Sequence, residues 1–258
     1  MTGLAAAIRE TQVATRHVAI FSLAQAGFCL KTTAGIVIAI DPYLSDACER
    51  LFGFRRMIPA VISAQELDAD IVASTHAHAD HLDPDALPVL ALNPRPHFLG
   101  APDCEAPYRS IGLPEDRFTV IRTGETATIK GIGFRAAFAD HGDLARDAIG
   151  LLMDFDGIRV YDVGDSAYAP DEISRSLSSA VDVMISPING RFGNMDADET
   201  CRLAALIKPR LLIASHFWMF VEHGGDPARF LAAAAGLPAG VRAVVMAPGE
   251  RLVFPENE

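Results

Sequence analysis

Cysteine is sparse and unpatterned in this chain. The four thiols, Cys29, Cys48, Cys104 and Cys201, are scattered and none forms CxxC. Neither a disulfide framework nor a thiolate zinc site is expected, and a reducing cytoplasm fits that usage. Long apolar runs are missing as well: no stretch approaches the ~20 residues that a membrane-spanning helix needs. The opening MTGLAAAIRE has a short apolar run and includes Arg9 and Glu10; it carries neither a long apolar h-region nor a convincing cleavage site. Positive charge is in deficit. Lys+Arg 22 against Asp+Glu 33 leaves a net charge of −11, which disfavours non-specific contact with nucleic acid or an anionic membrane. A phosphorylated substrate stays compatible, because a bound cation reverses the local field. Linkers, low-complexity tracts and sequence repeats are also absent, so residues 1–258 are read as one domain. With 50% hydrophobic residues, that domain has enough apolar surface to bury a core.

What is present reads as strands first, then helices and strands in alternation. HVAIFSLA, GFCLKT and IVIAIDPYL are short, β-branched or aromatic segments parted by glycine or polar residues. Residues 47–67 read as helical or irregular. DADIVAST is nearly continuous in apolar character, the pattern of a strand buried on both faces. A helix is expected after it, with Asp83 as N-cap, Pro84 at the first helical position and Asp85 at the positive terminus. HFLGA is a strand and DCEAPYRSIGL a helix. Residues 117–140 read as three strands joined by turns. AIGLLMDFDGIRVYDVGD is a hairpin turning at Asp156-Gly157. PDEISRSL, DADETCRLAALI (capped by Asp196) and DPARFLAAAAGL are helices. AVDVMISPI, PRLLIASH, VRAVVMA and RLVF are strands. Such an order suggests sheets inside and helices outside.

One stretch has no cheap packing explanation. STHAHADHLD, from Ser74 to Asp83, concentrates His76, His78, Asp80 and His81 at the end of the buried strand, in a chain with only eight histidines. His76 and His78 are two apart and face one side of an extended segment. Asp80 and His81 follow in the turn, beside the same ion or a second one. Imidazoles crowded in a buried place repel one another unless an ion satisfies them. Three further candidates, His141, Asp165 and His216, each stand just past the carboxyl end of a predicted strand, where open α/β architectures place their ligand sites. His17, His97 and His223 are left outside the metal set; His223 is read as a substrate contact or an exposed residue. Asp41 is a candidate to orient a ligand histidine or, equally, an ordinary Asp-Pro turn residue. Trp218 and Phe220 are candidates for a pocket wall or for the core.

His76-Ala-His78-Ala-Asp80-His81 is the H-x-H-x-D-H motif, and with His141, Asp165 and His216 following in order the chain resembles the metallo-β-lactamase superfamily. The resemblance implies an α/β (α+β) fold, a four-layer αββα sandwich of two mixed sheets with helices outside and metals at one edge. The segments GFCLKT…IAIDPYLSD, GDSAY, PINGRFGNMDADE and SHFWMF…GGDPARF look like the branch that contains L-ascorbate-6-phosphate lactonase. Ala77 departs from it at a position where relatives often carry an acidic residue. By this resemblance one metal takes His76, His78 and His141, a second takes Asp80, His81 and His216, and Asp165 bridges them. The nitrogen and oxygen donors suit two divalent ions, manganese first by the resemblance and zinc next.

Two cations on such a set acidify water and polarise a carbonyl, the chemistry that opens a lactone. Asp80 and His216 are the candidate catalytic residues, with Asp80 orienting the water or moving its proton, or serving as a ligand alone. Asn189 and Arg191 are candidate substrate-binding residues, Arg191 for a phosphate or carboxylate. Gly190 and Gly193 would let their loop pass close to a ligand. The favoured function is a metal-dependent hydrolase opening a small lactone such as L-ascorbate 6-phosphate, a carboxylic-ester reaction on a small-molecule partner with neither nucleic acid nor membrane involved. The alternatives are a metal-dependent phosphodiesterase or nuclease, disfavoured by the acidic balance and the lack of a basic, aromatic-laced stripe, and a non-catalytic metal-binding protein. The lactonase branch includes homo-oligomers.

Overall fold

A computed structural model describes residues 3–256. Its strands form two seven-stranded mixed sheets. In the first sheet β1 (Val18–Ala24), β2 (Gly27–Thr32) and β3 (Val37–Ile40) run as an antiparallel meander. β4 (Ile71–Ser74), β5 (His97–Gly100) and β6 (Phe118–Val120) then add in parallel, and β14 (Arg251–Phe254) pairs antiparallel with β1 at the other edge. The second sheet repeats the plan. β7 (Thr126–Ile129), β8 (Ile132–Phe138), β9 (Ile149–Phe155) and β10 (Ile158–Asp162) are antiparallel, and β11 (Val183–Pro187), β12 (Leu211–Ser215) and β13 (Arg242–Val244) continue in parallel.

The two-residue period of the strands divides their side chains between two cores. Val183 and Ile185 of β11, and Leu211 and Ile213 of β12, join one large core with Ile20, Ile38 and Ile71 of the first sheet. Their neighbours Met184, Leu212 and Ala214 point the other way, into a second core. There they meet Ile173 of α5 (Pro170–Ser176), Leu203 and Ala204 of α6 (Ala197–Ile207) and Phe230 of α7 (Pro227–Ala234). Phe230 and Leu203 are fully buried, each contributing about 2–3 kcal/mol. On the first sheet's side, α3 (Ala86–Leu92) adds Ala86, Leu87 and Leu90 to the large core. Sheet lies on sheet with helices outside, the αββα sandwich.

The turn chemistry follows the sequence closely. Asp156 and Gly157 both have positive φ, 54° and 76°, which the tight β9–β10 hairpin requires. Asp196 and Glu199 form a reciprocal capping box at the start of α6. Some boundaries move. The helix after the histidine motif starts at Ala86, yet Asp83 still caps it: its carboxylate accepts from the Asp85 and Ala86 amides at 3.0 and 3.1 Å. DPARFLAAAAGL is helical only to Ala234, ahead of Gly236 and Pro238, and VRAVVMA is a strand only over Arg242–Val244, an edge paired on one side.

Candidate metal centre

The turns and strand ends of one edge deliver the polar residues. His76, His78, Asp80 and His81 follow β4; Asp41 follows β3; His141 follows β8; Asp165 follows β10; His216 follows β12. Asp41 is fully buried and holds the region together. Its Oδ1 accepts from the Thr75 amide at 2.8 Å, and its Oδ2 accepts from Thr75 Oγ1 at 2.7 Å and from His81 Nδ1 at 2.8 Å. That grip turns His81 Nε2 toward Asp165 Oδ1, 3.4 Å away, and His216 Nε2, 3.3 Å away. Gly164 sets Asp165: it sits at φ +65°, and a Cβ there would lie 2.9 Å from the Ile149 carbonyl oxygen, so only glycine fits.

Nitrogen lone pairs converge. His76 Nε2 lies 2.9 Å from His78 Nδ1, while His78 Nε2 donates to the Leu144 carbonyl at 3.1 Å. Asp165 stands between two sets of imidazoles: Oδ2 is 3.5 Å from His141 Nε2, and Oδ1 is 3.2 Å from His216 Nε2. The donor atoms of His76, His78, His141 and Asp165 lie within 4.8 Å of one another, as do those of His81, Asp165 and His216, and those of Asp80, His216 and His223. All seven residues of the expected set are therefore brought together.

Two residues join them: Gln25, which sequence reasoning did not name, and His223, which it read as a substrate contact or an exposed residue and left outside the metal set. Gln25, in the β1–β2 turn at φ +53°, donates from Nε2 to Asp80 Oδ2 at 2.7 Å, and its carbonyl accepts from the His216 amide at 2.8 Å. His223 is buried, stacks on His216 with ring centroids 4.7 Å apart, and points Nε2 at Asp80 Oδ2 from 3.9 Å. An exposed His223 is thus excluded. His17 and His97 lie elsewhere, the first on the Thr15 carbonyl and the second on Thr119. Phe220 is core, and Trp218 is half exposed with its indole donating to the Gly225 carbonyl. Asn189 is buried and donates to the Arg191 carbonyl at 3.3 Å, bracing its own loop. Arg191 is exposed. Within that loop a Cβ on Gly190 would meet Asp196, and one on Gly193 would enter open space.

The electrostatics favour added positive charge. Burial pushes the imidazoles of His141 and His223 down to about 4, and that of His76 well below its ordinary value. These rings present lone pairs. Burial pulls the same way on His81 and His216, yet Asp165, Asp41 and Asp80 hold His81 well above the ordinary value, and Asp165 and Asp80 hold His216 at about 9. Burial likewise opposes ionisation of Asp80 and Asp165, but the neighbouring imidazolium groups keep both well below the usual carboxylate range. Protons here supply charge that a cation would supply instead. Oδ1 of Asp165, between the two imidazole sets, is buried without a hydrogen-bond partner. A buried donor set of nitrogens and carboxylate oxygens in this state fits divalent metal. Cys48 is not among the residues whose donor atoms converge, and burial pushes its thiol up to about 12.

A cavity of about 200 Å³ opens on this cluster, with His78, Asp80, His141, Asp165, His216 and His223 on its floor and Phe54, Leu144 and Phe192 among its walls. Residues 19–216 match the model of a β-lactamase superfamily domain. A UPF0173 metal-dependent hydrolase of Polynucleobacter asymbioticus is 27% identical over 250 residues, covering 89% of this chain and 84% of that protein. Another from Archaeoglobus fulgidus is 26% identical over 244 residues, covering 90% and 97%. Among solved structures, the metallo hydrolase Igni18 of Ignicoccus hospitalis superposes with a TM-score of 0.72 at 23% identity, covering 93% of this chain and 100% of that one. An isothiocyanate hydrolase from Delia radicum gut bacteria does so at 0.72 and 19%, covering 92% and 98%. These two likenesses establish the shared fold. Motif, fold and family match agree: the chain belongs to the β-lactamase superfamily, in its metallo-β-lactamase αββα form.

Proposed function

We propose that this chain is a metal-dependent hydrolase that opens a small carboxylic ester, a lactone in the favoured reading, at a centre of two divalent ions. The observation that carries the reading is Asp165, whose two oxygens face two different imidazole sets across a buried cluster. His76, His78 and His141 would hold one ion, Asp80, His81 and His216 the other, with Asp165 shared and His223 beside the second. Manganese and zinc both suit these donors. When bound, such a pair acidifies water and polarises a carbonyl oxygen. Asp80 faces the cavity and is held by Gln25, so its remaining lone pairs are placed to orient a nucleophilic water by accepting its hydrogen bond. His216, fixed by the Gln25 carbonyl through its amide, stands 3.5 Å from Asp80 Oδ2 and serves there through Nε2 as a ligand of the second ion. The core shared by both sheets supports a single hydrolytic unit over residues 1–258.

The metal-dependent hydrolase names of the two sequence relatives support the same class. L-Ascorbate 6-phosphate fits less well than a neutral lactone. With the ester on the ions, its phosphate needs a cationic partner of its own, and Arg191, the sequence candidate, is not among the residues lining the cavity. The test is hydrolysis of a lactone panel by protein stripped of metal and reloaded with Mn²⁺ or Zn²⁺. Ring opening that returns with metal and is lost in His78→Ala supports the reading. Reloaded protein that opens no lactone while cleaving a phosphodiester would overturn it.

A further inference from the structure

Resting on that hydrolase reading, we infer that the cavity selects a neutral substrate carrying a compact apolar group, an aryl ring or branched alkyl, next to the bond that is hydrolysed. Apart from the floor, its lining is Cys48, Phe52, Phe54, Ala79, Leu144 and Phe192. Among the described residues, no lysine, arginine, serine, threonine or asparagine lines it. A phosphate or carboxylate held away from the metal ions would thus be desolvated without a partner, beside Asp80 and Asp165.

The apolar wall is assembled from three separate parts of the chain. Phe52 ends α2 (Ala47–Phe52), Leu144 follows β8, and Phe192 follows β11. They are 61%, 56% and 44% exposed. The packing of Phe52 and Phe192 on Phe54 covers only part of their surface, and an apolar ligand in the opening would cover more of all three side chains. Phe192 sits at φ +54°, a left-handed conformation that is unfavourable for a bulky residue and is kept where surroundings or function demand it. Its ring lies 6.0 Å from that of Phe54 and 5.4 Å from that of His223, centroid to centroid. The volume agrees. An apolar cavity of about 150 Å³ accepts benzene, so about 200 Å³, shared with the ions on the floor, is on the scale of one compact ring.

The experiment uses full-length, metal-loaded protein with three lactones: 3,4-dihydrocoumarin, glucono-δ-lactone and L-ascorbate 6-phosphate. The expected kcat/KM for dihydrocoumarin exceeds that for the phosphorylated lactone about a hundredfold. Phe192→Ser, at an exposed loop position, should raise its KM about tenfold, one lost aromatic contact, with kcat little changed. Phe192→Arg should narrow the gap to the phosphorylated lactone. Calorimetric binding of 3,4-dihydro-2-quinolinone, the lactam counterpart, separates recognition from turnover and should weaken in Phe192→Ser. Equal or better turnover of the phosphorylated lactone would overturn the inference, and so would lactam binding that is absent or indifferent to Phe192. If no lactone is opened but the lactam still binds through Phe192, the apolar site stands and the ester chemistry falls.

Discussion

Asp41 shows how one buried carboxylate organises a site without lining its cavity. It accepts from two groups of Thr75 and from His81, so it fixes both the turn after β4 and the direction of a candidate metal-binding nitrogen. Asp41→Asn should weaken the ion at His81 by about 10–100-fold, measured by competition with a chromophoric chelator. Unchanged affinity would mean that His81 is oriented by packing alone. At this scale the sequence was legible wherever chemistry is concentrated locally, as in His76 to His81. Gln25 was not legible, and His223 was read as a substrate contact or an exposed residue but not as a neighbour of the metal donors. Gln25 lies 191 positions from His216 in a turn whose local pattern says nothing of metals, and His223 stands alone in a loop. Arg191 and Phe192 are adjacent, and the sequence reading named only the charged one. The charged residue draws attention, while the aromatic ring that lines the cavity comes from Phe192, whose left-handed backbone no local pattern announces.

Elements are tied to one another by buried acids away from the cluster. Asp70, just before β4, takes Arg95 Nε and Nη2 at 2.7 and 2.9 Å and the Val37 amide of β3 at 2.9 Å. Burial opposes its ionisation, but Arg95 and the Val37 amide hold its pKa below the ordinary 3.8. A carboxyl with a depressed folded pKa stabilises above its unfolded value and loses that contribution as pH falls through the folded one. Asp70→Asn should therefore cost about 2 kcal/mol at pH 7, and the difference from wild type should shrink as pH drops below about 4. Urea unfolding at several pH values checks this; a penalty that does not change with pH would assign it to packing. Element types read well from the sequence because apolar runs, Asp83, Asp196 and the Asp156-Gly157 turn are local signals. Strand ends read poorly. Arg242–Val244 stops where its ladder with β12 stops, a tertiary fact.

For the whole molecule, ions would act as part of the fold. The cluster joins residues after strands of both sheets, and Asp41, Asp80 and Asp165 crowd negative charge at one edge. Removing the ions should lower the thermal midpoint by about 10 °C, as expected when a ligand present at about 1,000 times its Kd is lost from a chain of this size. Scanning calorimetry before and after chelation measures it, and an unchanged midpoint would contradict a structural contribution from metal. The αββα layering was reachable from the motif and the repeated order of strands. The pairing of β14 with β1, Val18 opposite Phe254, was not, because nothing local in either strand names a partner across the length of the chain.

The measurement closest to the central claim is metal content per chain after reconstitution and desalting, read by mass spectrometry for wild type, His141→Ala and His216→Ala. The expected result is two ions in the wild type and one in each variant, with lactone hydrolysis lost in both. A wild type that holds one ion or none, or variants that keep two, would contradict a two-ion centre shared through Asp165.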